Sequence, residues 1–117
     1  MYEIKFQAQI VKASKNEEDQ FYMIAIADSK EGYNNYVIFQ KTFDPDEIED
    51  DSDLSEVYVE CNGESCYNCC DKIFLQNNEL KFDVKGTSFT IGFDEVDLDQ
   101  SFYRIMNFIF GATFIYQ

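Results

Sequence analysis

Ten carboxylates stand between Asp44 and Glu64 with no Lys or Arg among them: Asp44, Asp46, Glu47, Glu49, Asp50, Asp51, Asp53, Glu56, Glu60 and Glu64. Clustered carboxylates can ligate calcium, share acid and base roles, or dock a cationic surface. Four cysteines follow closely, Cys61, Cys66, Cys69 and Cys70, and the C-x-x-C spacing of Cys66 and Cys69 suits zinc knuckles and dithiol redox sites. These two groups carry whatever chemistry the chain has.

Calcium is the first use to fail. An EF-hand loop needs Gly at its sixth position and Glu at its twelfth. Counting from Asp51 those positions hold Glu56 and Asn62, and from Asp94 they hold Asp99 and Ile105. Zinc fares little better, because no second knuckle accompanies Cys66-Tyr67-Asn68-Cys69 and the adjacent Cys69-Cys70 pair suits a tetrahedral site poorly. Cys61 is in phase with Val57 and Val59 and reads as a small packed apolar residue. The expectation is four reduced thiols, with no metal and no cofactor.

Catalysis is weakly supported. The chain has no His, which removes Ser-His-Asp and Cys-His systems, and it has neither a GxxxxGK[ST] nor a GxGxxG phosphate loop. Carboxylate pairs of the glycosidase kind stay formally open, but with 23 acidic residues in 117 two near neighbours say nothing. The expectation is a protein that is not an enzyme. A concave pocket with two carboxylates titrating far apart would reverse it.

Docking is the remaining use. The acidic stretch supplies much of a net charge of -14, a field that opposes compaction through self-repulsion and speeds encounter with a basic partner. A loop kept only for solubility remains a competing reading, although such loops usually mix signs. Nine scattered basic residues, one of them Arg, exclude nucleic acid as a direct ligand. No stretch reaches the roughly 20 apolar residues of a membrane span. The N-terminus shows no basic then apolar signal pattern, which points to the cytoplasm.

The elements that must position these groups follow from periodicity. One domain over residues 1–117 is expected, with a core rich in the 12 Phe and 8 Tyr. Tyr2, Ile4, Phe6, Ala8 and Ile10 alternate with polar residues, which predicts one half-buried strand over Tyr2 to Val11. Phe21 to Ala27, nearly all apolar, predicts a strand buried on both faces, and Tyr36 to Phe39 starts a third. Asn62-Gly63, Asn77-Asn78 and Lys85-Gly86 mark turns in a meander of short antiparallel strands. Leu98, Phe102, Ile105, Met106 and Ile109 share one face of a closing helix, with Asp97 as N-cap, Gln100 in a capping box, and Gly111 as the stop. The expected fold is α+β and mostly β: one twisted antiparallel sheet of six or seven strands carrying a C-terminal amphipathic helix.

Several of these segments together resemble the bacterial immunity protein 10 family, which is associated with polymorphic toxin systems. The resemblance rests on Tyr2-Glu3-Ile4-Lys5-Phe6, on Val57-Tyr58-Val59-Glu60 before an Asn-Gly turn, on Asp71 through Phe82, and on the ending Asn107-Phe108-Ile109-Phe110. It covers most of the chain as a pattern of apolar positions and turns. Cys69-Cys70 departs from it, standing where the family often has small residues such as Gly. The resemblance implies a protein that neutralises a cognate bacterial toxin by binding it.

Joined to the charge, this yields an immunity protein that meets a basic toxin surface, such as a nuclease cleft, through Asp44, Asp46, Glu47, Glu49, Asp50, Asp51, Asp53 and Glu56. The rival is a regulatory module that binds a basic host protein. A homodimer through strand edges or Phe114-Ile115-Tyr116 stays open.

Overall fold

The computed structural model describes residues 2–29, 32, 34–43 and 56–116. Its strands are β1 (Tyr2–Gln7), β2 (Ile10–Asn16), β3 (Phe21–Ala27), β4 (Tyr36–Thr42), β5 (Val57–Cys61), β6 (Glu64–Tyr67), β7 (Ile73–Gln76), β8 (Glu79–Val84), β9 (Thr87–Gly92) and β10 (Phe114–Tyr116). One helix, α1 (Gln100–Phe110), precedes a single 3-10 turn, Gly111–Thr113, and β10.

The strands form two sheets of five, ordered β1-β9-β8-β7-β10 and β2-β3-β4-β5-β6. The mostly β architecture with one C-terminal helix matches the sequence reading. The single sheet and the count of six or seven do not, since among the described residues ten strands divide between two sheets. Nor is the pairing wholly antiparallel. β1 runs parallel to β9, and β10 parallel to β7. Both parallel pairs join segments far apart in the chain, where local turn signals carry no information.

The expected first strand is broken at Ala8-Gln9. The Ala8 N–H donates to the Gly92 carbonyl in one sheet, and the next amide, Gln9 N–H, donates to Ala27 in the other. The chain passes between sheets at that step and the alternation slips. Val11 and Ala13 of β2 pack on the core, while Ile10, expected on the same face as Ala8, pairs with Ala27 on the opposite side. β3 is corrected in the same way: Ile24 and Ile26 are fully buried, but Met23 and Ala25 on its other face are only half-covered.

The turns behave as their residues predict. Asn62 and Gly63, Asn77 and Asn78, and Lys85 and Gly86 all adopt positive φ, the conformation that two-residue hairpins need to match strand twist.

Helix α1 begins two residues later than the Asp97 cap implied. Asp99 is the N-cap, in an extended conformation, and its Oδ1 accepts the Phe102 N–H at 3.1 Å. Gln100 is therefore the first helical residue, not part of a capping box. Gly111 ends the helix with φ 60 and its N–H on the Asn107 carbonyl. The buried face, Phe102, Ile105, Met106 and Ile109, lies on β2, β3 and β4. Phe39 of β4 meets Phe82 of β8 edge-on at 5.3 Å and Phe110 of the helix at 5.0 Å. Helix and first sheet thus share the inner face of the second sheet, and the buried residues make one continuous apolar cluster.

Candidate functional site

The outer face of the β2–β6 sheet is the place where polar and aromatic groups converge. Strand register builds it in rows. Met23, Gln40, Tyr58 and Tyr67 stand side by side across β3, β4, β5 and β6, and beside them runs the row Ala25, Ile38, Glu60 and Ser65. Met23, Ile38, Gln40, Thr42, Glu56, Tyr58, Glu60 and Tyr67 line an open cleft of about 600 Å³.

Glu60 is the fixed point of this cleft. The Tyr36 hydroxyl donates to its Oε2 at 2.6 Å and the Tyr58 hydroxyl to its Oε1 at 2.5 Å. Tyr36 is itself anchored, since its oxygen accepts the Gly63 N–H at 2.8 Å and its backbone N–H donates to Asn62 Oδ1 at 2.8 Å. The turn that Asn62-Gly63 forms thereby sets a phenol, and the phenol sets a carboxylate. The hydrogen bonds from Tyr36 and then Tyr58 hold the Glu60 carboxyl below its ordinary range, because they favour the charged form. The partner hydroxyl of Tyr58 is pushed up, chiefly by its bond to Glu60. A general acid needs a raised carboxyl pKa, and Glu60 is moved in the opposite direction.

Asn68 holds the rim. In the left-handed conformation at φ 52, it accepts the Val57 N–H on Oδ1 at 2.8 Å and gives its own N–H to the Val57 carbonyl at 2.8 Å. This clamps the start of β5 and with it Glu56, which is exposed at the cleft edge.

Of the residues expected to bind a partner, Glu56 lines this cleft, and Asp44, Asp46, Glu47, Glu49, Asp50, Asp51 and Asp53 lie outside the described residues. The connection that contains them leaves β4 just beyond Thr42 and rejoins the chain at Glu56, two residues that both line the cleft. Glu60 was visible only as one acid among ten. Tyr36, Tyr58 and Tyr67 were missed, although a two-residue Asn62-Gly63 turn already implies that Tyr58 faces Tyr67.

The cysteines differ from expectation. Cys66 and Cys69 are joined in a disulfide, their Cα atoms 6.0 Å apart, within the span a disulfide bridges. The left-handed Asn68 between them turns the chain back tightly enough to bring the sulfurs together. Cys61 is buried as its phase predicts, and burial pushes the Cys61 and Cys70 thiols up to about 12. Raised thiols of this kind are poor nucleophiles at neutral pH. Among the described residues, no three His, Cys, Asp or Glu side chains are grouped to hold a metal ion. Also among them, no helix is long and apolar enough to cross a membrane.

The family model for immunity protein 10 matches residues 7–103. The chain belongs to the immunity protein 10 family. No curated protein matches it. The family match runs from the end of β1 into α1, so the whole β2–β6 sheet and its cleft fall inside the immunity protein 10 region.

Proposed function

We propose that this chain is an immunity protein that neutralises a cognate bacterial toxin by binding it, without catalysis, as one domain in the cytoplasm. The observation that carries this reading is the family match over residues 7–103. The net charge of -14 supports a toxin with a basic contact surface, such as the phosphate-binding cleft of a nuclease. Carboxylates at Asp44, Asp46, Glu47, Glu49, Asp50, Asp51, Asp53 and Glu56 would occupy that surface in place of an anionic substrate. Of these, Glu56 lines the edge of the cleft on the open sheet face.

The test is stoichiometric inhibition of a toxin identified by its binding to this protein in a pull-down from the native host. Residual toxin activity should fall in proportion to added protein and reach its floor near one equivalent. Complete inhibition by a hundredth of an equivalent would mean turnover and would refute a binding mechanism, and no inhibition at several equivalents would refute the toxin assignment.

A further inference from the structure

The cleft on the β2–β6 sheet contains a carboxylate, Glu60, that two phenols hold in place and that has no ion-pair partner among the described residues. Glu60 accepts one hydrogen bond on each oxygen, from Tyr36 and Tyr58, and an ionised carboxylate can accept about four. It forms no ion pair with any described Lys or Arg, and no described basic side chain lines the cleft. Lys12 shares its cross-strand row but stands three strands away, beyond Ala25 and Ile38. Fixing an anion in this way, without a counter-ion among the described residues, makes a site complementary to a cation.

The walls narrow the choice of cation. Tyr58 and Tyr67 pack with ring centroids 5.5 Å apart at 59°, and Tyr67 is 61% exposed, so an aromatic face is open beside the carboxylate. Met23 and Ile38 give an apolar floor along which a methylene stem can lie. An ammonium meets such a site as a point charge, with no planar face of its own to stack on a ring. A guanidinium uses both, stacking flat on a ring while its N–H edge meets carboxylate oxygens in a forked pair.

We propose that the cleft lined by Glu60, Tyr58, Tyr67, Met23 and Ile38 seats an arginine side chain of a protein partner. This rests on the reading of the chain as a toxin-binding protein, and it adds a specific anchor to a general acidic attraction. An anchor held by a hydrogen-bonded carboxylate slows dissociation, whereas diffuse surface charge acts on encounter.

The test needs no toxin. The protein is titrated with the blocked tripeptides Gly-Arg-Gly, Gly-Lys-Gly and Gly-citrulline-Gly, and the ring and carboxyl signals of Tyr58, Tyr67 and Glu60 are followed by NMR. The arginine peptide should shift these signals saturably. The lysine peptide should bind at least about fivefold more weakly, and the uncharged citrulline peptide should leave the signals in place. Glu60→Gln should weaken the arginine peptide about tenfold, and Tyr67→Ala severalfold, with the remaining spectrum unchanged to show that the fold persists. Three results would overturn the proposal: no shift at these residues, equal binding of lysine and arginine, or binding indifferent to Glu60→Gln. Toxin inhibition is read separately, so a dead cleft in a protein that inhibits its toxin would remove the anchor and leave the function standing.

Discussion

Glu60 is the residue whose chemistry the fold most clearly sets. Two phenols donate to its carboxylate, and these bonds are stronger to the charged form than to the protonated one, so the folded protein favours the charge. The sign of the linkage follows. A carboxyl held low in the folded state contributes stability at pH values above its ordinary range, and that contribution is lost as pH falls through the folded value. Its carboxyl carbon should therefore titrate below the ordinary value of about 4.3 in an NMR experiment. Tyr36→Phe and Tyr58→Phe should each move the midpoint upward, and Glu60→Gln should flatten part of the acid limb of the stability curve. Titration at or above the ordinary value would contradict the hydrogen-bonded arrangement. Little of this was legible in the sequence, because Tyr36 reaches Glu60 across 24 residues through the register of β4 and β5.

At the scale of elements, local chemistry was legible and distant pairing was not. Hairpin turns follow from residues that tolerate positive φ, and the helix face follows from spacing, so both could be read directly. The passage of the chain between sheets at Ala8-Gln9 could not, since a two-residue alternation looks unbroken across it. The parallel pairs β1–β9 and β7–β10 were equally invisible, being long-range contacts with no local signature. The cap moved by two residues because three aspartates, Asp94, Asp97 and Asp99, precede the helix and geometry alone selects among them. Replacing Asp99 with Ala should cost about 1 kcal/mol of unfolding free energy in urea, and the same change at Asp97 should cost little. Phe102 is 1% exposed and packs edge-on against Phe93 at 5.8 Å, so Phe102→Ala should cost about 3–5 kcal/mol. A loss under about 1 kcal/mol would remove Phe102 from the core.

The whole molecule separates two tasks. Its inner surfaces are apolar, with no polar or charged side chain among the buried described residues. The net charge is -14, with ten of the acids between Asp44 and Glu64, and none of the described acids is buried. Self-repulsion of that size weakens the compact state and is offset by a core that joins both sheets and the helix. Under the proposed function such a field has a use, since an inhibitor would have to reach its toxin before the toxin reaches its target.

The most direct measurement is the association rate constant with the toxin captured from the native host, taken by stopped flow across a range of salt concentrations. Wild-type protein should bind fast at low salt and slow steeply as salt rises. Neutralising Glu49, Asp50, Asp51 and Asp53 together should leave folding intact, lower the low-salt rate about tenfold or more, and flatten its dependence on salt. An association rate indifferent both to salt and to these four substitutions would contradict the account.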